Sequence, residues 1–511
     1  MAIARTYGVA LLGVQGHVVE VEADIAAGIP TVQLIGLPDT ALHEARDRVR
    51  AAVVNSGFGW PNRRVTVGLS PASLPKSGSG FDLAIATAVL AARDEIPAAS
   101  LLRMVLVGEL ALDGRIRPVR GVLPSVLAAA EAGLTKVLVA TDNAAEAALV
   151  PEVEPVPVSD LVQLVSILRG NSQAGPIPAS RVRDEADNGP APDLAHVGGQ
   201  GEARRALEIS AAGGHHLLLT GPPGTGKTML AERLPGLLPD LDHEESLEVT
   251  AIHSVAGLLP SGSPLITRPP FRQPHHSATI PALVGGGSGL LRPGAASQAH
   301  KGVLFLDEAP EFPRSVLDAL RQPVESGVVE LSRAMSTARF PARFTLVMAA
   351  NPCPCAARER ECDCLPRVRA NYQSKLSGPL MDRVDLRVMT RPMSRGDLRD
   401  DFGDIESTAI VRERVLAARD RMAKRFVGTP WRLNGEVPGP QLRAGWPLSP
   451  DTTRKVDEAF DNGELTGRGY DRVLRVAWTI ADLAGRDQPN KQDLREAYEF
   501  RRHGIQPGLA A

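Results

Sequence analysis

Residues 221–228 read GPPGTGKT. This G-x-x-x-x-G-K-T run sits directly after an apolar stretch of strand length, HLLLT (216–220), and before the helix-compatible MLAERLPGLL. Glycines at these spacings let successive backbone N–H groups face one point, and the helix that follows adds the positive end of its dipole. Such a loop holds phosphate. Gly221, Pro222, Pro223, Gly224, Thr225, Gly226 and Lys227 form the predicted cradle, with Lys227 reaching the β/γ oxygens and Thr228 offering a hydroxyl to Mg²⁺. A chain carrying this loop in this setting is committed to an α/β layer in which the loop joins a buried parallel strand to a helix.

Two further apolar runs, VLFLD (303–307) and FTLVMAA (344–350), are the length of buried parallel strands and end in polar sequence. VLFLDEA puts Asp307 at a strand terminus to hold Mg²⁺ and Glu308 beside it to polarise an attacking water, while Asn351 ends the other run where its amide can orient that water. Upstream, VVEVEADI (18–25) alternates like a half-buried strand. Asp39-Thr40 opens a helix with Leu42, Ala45, Val49 and Val53 on one face, stopped by Gly57. Residues 169–193 are rich in Gly, Pro, Ser and charge and read as a linker. From about 393 the pattern turns helical: Ile410, Val415 and Ala418, then Val473, Leu474, Ala477, Ile480 and Leu483. The predicted organisation is an α/β domain (1–168), the linker (169–193), an α/β nucleotide-binding core (194–392) and a mostly α segment (393–511).

The 511 residues, 43% apolar, can build a core for each of these parts. A formal net charge of −2 excludes a whole-chain field drawing the protein to nucleic acid or lipid, so contact with a polyanion has to be local. No apolar run approaches the roughly eighteen residues of a membrane span, and the N-terminal stretch does not read as a cleavable leader. The expectation is a cytoplasmic protein without membrane contact.

With VGGQ (197–200) ahead of the loop and SGPLMDRVDL (377–386) after it, the core resembles an AAA+ ATPase of the magnesium-chelatase type. RPPFRQPHHSATIPALVGGG, HKGVLFLDEAPEF, NPCPC and SGPLMDRVDL resemble, more closely, the ComM/YifB family of bacterial competence-associated proteins across nearly the whole chain. That resemblance implies ATP and Mg²⁺ as ligands, Asn351 as sensor 1, Arg383 as an arginine finger acting in trans, and Arg468 as sensor 2. The C-terminal helices would be its lid. It also implies a homo-oligomeric, hexameric ring that promotes branch migration of recombination intermediates in natural transformation. His275 and His276 fall in what would be its helix-2 insertion. The segment 328–344, two short strands around a polar turn, would be a pre-sensor-1 hairpin, where Arg333, Arg339 and Arg343 can grip single-stranded or branched DNA through its phosphates. An alternative of another class is a chelatase-like chaperone that remodels a protein partner.

The four cysteines stand as CPC-x₆-CDC: Cys353, Cys355, Cys362 and Cys364. Four thiolates can hold Zn²⁺, yet C-x-C is tighter than the usual C-x₂-C knuckle, so a zinc site and reduced structural thiols both stay open. In the N-terminal part, SPASLPKSGSGFDLAIA (70–86) and VGELALDGRIRPVRGVLPSVLAAA (107–130) resemble the proteolytic domain of Lon, which suggests an ATP-dependent protease as a rival. Laid on that pattern, Gly80 stands where the nucleophilic serine would be and Leu123 where its lysine would be. Neither side chain can do that chemistry, so this domain is predicted to be an inactive Lon-like scaffold or DNA-binding module.

Overall fold

The computed structural model describes residues 2–37, 39–177, 192–259, 265–287, 291–333, 336–355, 362–392 and 405–502. Residues 178–191 of the expected linker, and the expected boundary at 393, lie outside the described residues.

The N-terminal sheet has seven strands in the order Val32–Ile35, Arg64–Ser70, Gln15–Ala26, Ala2–Leu12, Met104–Val107, Lys136–Ala140, Glu154–Val158. Ala2–Leu12 and Gln15–Ala26 form an antiparallel hairpin; the sheet is parallel from Ala2–Leu12 through Glu154–Val158. The alternation in Gln15–Ala26 buries Val19, Val21 and Ala23 on one face. Helix Thr40–Asn55 begins where the sequence predicts. Asp39 accepts from the Leu42 N–H at 2.8 Å, and Leu42, Ala45, Val49 and Val53 are fully buried.

The second sheet is wholly parallel, in the order Phe271–Arg272, Val303–Leu306, Thr345–Ala350, Leu217–Thr220, Leu386–Met389. Its side chains explain the unbroken apolar runs. Leu217, Leu219, Val303, Phe305, Val347 and Ala349 face a layer containing helices Gly201–Gly213 and Lys227–Leu237, while Leu218, Leu304, Leu306, Leu346 and Met348 face Phe312, Val316 and Leu317. A strand covered on both faces loses its alternation.

Helices Thr408–Arg425, Gly439–Gly445, Pro450–Asp461, Gly467–Leu483 and Lys491–Arg502 make up the C-terminal region, and their core is continuous with the first face of the sheet. One expectation is corrected here. Ile410 is 49% exposed, and the buried stripe of Thr408–Arg425 is Val411, Val415, Ala418 and Met422. No helix among the described residues is long and apolar enough to cross a membrane.

Candidate nucleotide site

Because the strands of the second sheet are parallel, their C-terminal ends share one edge, where the loop 221–226, Asp307 and Asn351 converge. The Gly221 N–H donates to Ala350 O at 3.1 Å, and a Cβ at Gly221 would lie 2.2 Å from Thr390 Oγ1. Gly224 and Gly226 have φ of 76° and 81°, the left-handed region, and a Cβ on either would meet nothing within 4 Å. The loop is therefore open on its outer side. Thr225 Oγ1 donates to Pro222 O at 2.9 Å and lies 2.7 Å from Thr390 Oγ1, which buttresses the turn from within.

Helix Lys227–Leu237 starts at this loop with no side-chain cap. Lys227 Nζ donates to Gly221 O (2.7 Å), Pro222 O (2.9 Å) and Asn351 Oδ1 (3.1 Å), so all three of its protons lie on loop and strand-end acceptors. Burial pushes the Lys227 pKa down, against the opposing carboxylates of Asp307 and Glu308. Thr228 Oγ1 donates to Asp307 Oδ2 at 2.8 Å. A hydroxyl beside a carboxylate is a donor set suited to a hard divalent cation, and the open glycine loop with its uncapped helix suits phosphate. The residues present fit Mg²⁺ and a nucleoside triphosphate.

Glu308 has φ 50°, an uncommon backbone state for a non-glycine residue, and its N–H donates to Asp307 Oδ1 at 3.0 Å. Its carboxylate is half exposed, 3.5 Å from His276 Nδ1. The two adjacent rings, tilted by 34° with centroids 4.1 Å apart, therefore bring His276 against the glutamate of the site. Sequence reasoning missed that contact. It also missed Gln200, whose Nε2 donates to Thr225 O at 3.3 Å, and Thr390, at the end of an edge strand too short to give a periodic signal.

Arg383 and Arg468 are elsewhere. The N–H groups of Asp385 and Leu386 both donate to His216 O at 3.0 Å, which places the Arg383 turn at the start of the strand that leads to the loop. The four residues of strand Leu217–Thr220 separate His216 from Gly221, five steps along the chain, on the order of 16 Å. Arg383 donates to Glu325, and that guanidinium, with Arg468 and Arg472 farther off, holds the Glu325 carboxyl below its ordinary range. Arg383, Arg468, Arg472, Arg475, Arg343 and Glu325 line an open groove of about 1250 Å³ at this opposite edge. Among the described residues, neither Arg383 nor Arg468 bonds to the loop of its own chain.

The segment 328–344 forms the expected hairpin, Val328–Arg333 against Ser336–Pro341. Arg339 pairs across the hairpin with Glu330 at 2.6 Å, Arg343 lies past the hairpin in the groove, and the Arg333 side chain lies outside the described residues.

Cys353, Cys355, Cys362 and Cys364 bring their sulfurs within 4.8 Å of one another, three of the pairs at 3.3–3.4 Å. That is too long for a disulfide and near the roughly 3.8 Å expected for four thiolates around one tetrahedral ion. Hydrogen bonds from the Cys364 N–H and among the thiols draw the Cys362 pKa down to about 7, while burial pushes that of Cys353 up and thiol hydrogen bonds that of Cys364, as for sulfurs that share protons in one cluster. The cluster can hold a metal ion.

In the N-terminal sheet region, Leu123 is fully buried and its N–H donates to Glu146 Oε1 at 2.7 Å. Lys76 is also fully buried, donating to Gly36 O (2.8 Å), Leu69 O (3.1 Å) and Pro71 O. An ammonium with all its protons on carbonyls is a structural pin, not a base. Ser79 donates to Glu109, not to a lysine.

Three family descriptions match: subunit ChlI of Mg-chelatase over residues 21–143, magnesium chelatase subunit ChlI over 193–398, and the ChlI C-terminal part over 405–501. The chain is 54% identical over 506 residues to an uncharacterized protein of Mycobacterium tuberculosis, covering 99% of each. It is 42% identical over 504 residues to YifB of Escherichia coli, covering 98% of this chain and 97% of that one. To the competence protein ComM of Haemophilus influenzae it is 41% identical over 508 residues, covering 98% of each.

Proposed function

Because the chain belongs to the ComM/YifB family of magnesium-chelatase-like proteins, we propose that it is a ring-forming ATP hydrolase that moves DNA, with each catalytic site completed by a neighbouring copy. One observation carries this reading. The phosphate loop, Asp307 and Asn351 stand at one edge of the parallel sheet, while Arg383 and Arg468 stand at the other, a strand length away. A guanidinium stabilises charge on a transferring phosphoryl only at contact distance, so these arginines serve a site on another chain.

Within one chain, Gly224 and Gly226 turn the backbone around the phosphates, and Lys227 exchanges its carbonyl acceptors for β/γ oxygens. Mg²⁺ held by Thr228 and Asp307 would supply neutralisation of phosphate charge. Glu308 accepts a proton from the attacking water, and Asn351, already within reach of Lys227, orients it. The neighbour's Arg383 meets the developing charge, with Arg468 beside it, and six copies closing on themselves would give every site its partner.

The family's competence-named relative supports a DNA task, which we read as branch migration of recombination intermediates in natural transformation. The hairpin Val328–Pro341 and its arginines are the proposed contact with single-stranded or branched DNA, and the four-cysteine cluster is proposed to hold a structural Zn²⁺. Strand displacement from a four-way junction tests the assignment. With ATP the junction arms should separate; with a non-hydrolysable analogue they should not. Equal movement with both, or none with either, contradicts it.

A further inference from the structure

The turn that carries Arg383 runs from Ser377 to Asp385, ahead of strand Leu386–Met389, and its backbone carbonyls are held by guanidinium groups. Arg383 Nη1 donates to Pro379 O at 2.6 Å and Arg387 Nη2 to Met381 O at 3.2 Å, both from nearby in the chain. The other two donors come from the C-terminal helices. Arg472 Nη1, on Gly467–Leu483, donates to the carbonyl of Arg383 itself at 3.0 Å, and Arg501 Nη1, on Lys491–Arg502, donates to Val384 O.

These are not solvated surface contacts. The side chains of Arg472, Arg501 and Asp385 are 15%, 8% and 4% exposed. Asp385 takes an ion pair from Arg472, faces His215 Nδ1 at 3.4 Å and accepts from the His216 N–H at 3.3 Å. Burial would raise its pKa, but Arg472 and His215 hold it well below the usual carboxylate range, so it stays charged. The chain of polar contacts continues from His215 Nε2 to Thr479 Oγ1 at 2.7 Å, back onto the helix that carries Arg472. Asn434 Nδ2 then joins Thr479 Oγ1 (3.0 Å) to Asp482 Oδ2 (2.9 Å), which pairs with Arg425. The Nε atoms of Arg383, Arg387 and Arg472 are buried without a partner, but the charges of the network are paired, and a buried paired network favours one arrangement of the elements it links because any slip strands a charge. Here it links the Arg383 turn, the first residues of the strand leading to the phosphate loop, and the helix that presents Arg468 one turn before Arg472.

From this juxtaposition we infer that Arg472 and Arg501 are positioning residues: they fasten the Arg383 turn to the C-terminal helices of the same chain. The inference rests on the reading of Arg383 as the residue that completes a neighbour's site.

Full-length Arg472→Ala, Arg472→Lys, Arg501→Ala and Arg383→Ala are compared for fluorescent-ATP binding, ATP turnover, thermal melting and amide hydrogen exchange. Arg472→Ala and Arg501→Ala should bind ATP within about twofold of wild type yet turn over on the order of 10- to 100-fold more slowly, since a misplaced group costs rate rather than binding. Exchange over residues 380–386 should quicken while helix Lys227–Leu237 keeps its protection. Arg472→Lys, able to satisfy Asp385 with one donor, should recover part of the rate, and it carries both readouts if the alanine variant does not fold. Folded Arg472 variants with turnover within about twofold of wild type, or exchange rising equally over 227–237, overturn the inference. Wild-type turnover by Arg383→Ala overturns instead the reading beneath it, whereas loss in Arg383→Ala alone defeats only the fastening.

Discussion

Lys227 has each of its protons on an acceptor at the strand ends, and those acceptors are the groups a triphosphate would displace. Arg and Lys at phosphate contribute charge-assisted bonds about twice as strong as neutral ones, so Lys227→Ala should weaken ATP binding on the order of 100-fold in a titration calorimeter. Glu308→Gln should behave oppositely. It keeps the shape of the site, binds ATP within a few-fold of wild type, and loses on the order of 100-fold or more in turnover. Two histidines, His253 buried and His216 half-buried, make a separate prediction about stability. Burial drives the pKa of His216 and of His253 down to about 4, and each ring accepts a hydrogen bond at Nδ1: from Leu346 N at 3.0 Å in His216, from Arg272 Nη2 at 3.2 Å in His253. The unfolded chain binds these protons first, near pH 6.5, so the stability they contribute is present above that pH and is lost as pH falls toward 4. Melting temperatures measured from pH 7.5 to 4.5 should decline in that window, and His216→Asn, which keeps an acceptor without the titration, should decline less.

At the level of elements, the sequence is legible wherever a local physical rule decides. Three apolar runs become the three central strands because burial on both faces leaves no polar alternation, and Asp39 marks a helix start because its carboxylate caps Leu42. Lys227, Thr228, Asp307 and Asn351 are brought together as their motifs require. Long-range packing is what local pattern does not carry. Ile410 and Val411 are both apolar, and only docking of the helix decides that Val411 is inside. Phe271–Arg272 is a two-residue edge strand with no period to detect, and the approach of His276 to Glu308 follows from where that edge delivers the chain. The cysteines stand between these cases: their spacing flags a cluster, while the folded chain is needed to bring four sulfurs within 4.8 Å. Native mass spectrometry should find about one zinc per chain, lost in the Cys353→Ser, Cys355→Ser double variant, since two remaining thiolates do not close a structural site.

Across the whole molecule, the N-terminal sheet region rests on the nucleotide-binding core through specific contacts. Ser254 Oγ donates to buried Glu146, the Gly121 N–H donates to Ser254 O at 3.3 Å, and the 13–14 turn of the first hairpin approaches the strand that carries Arg339. This region therefore touches both helix His243–Ala256, which leads toward His275 and His276, and the proposed DNA hairpin. In the motor proposed above, a region so placed would serve as a scaffold rather than a protease. On the proposed reading, the division of the site between two edges of one sheet would make the assembly, not the single chain, the catalytic unit. Complementation tests that claim most directly. Lys227→Ala lacks a working phosphate site but keeps its Arg383, and Arg383→Ala has the reverse defect, so each alone should be nearly inactive. Mixed in equal parts, random neighbours pair an intact loop with an intact arginine at about one interface in four, and ATP turnover should rise toward that fraction of wild type. A mixture no more active than its two components would contradict a site shared between chains.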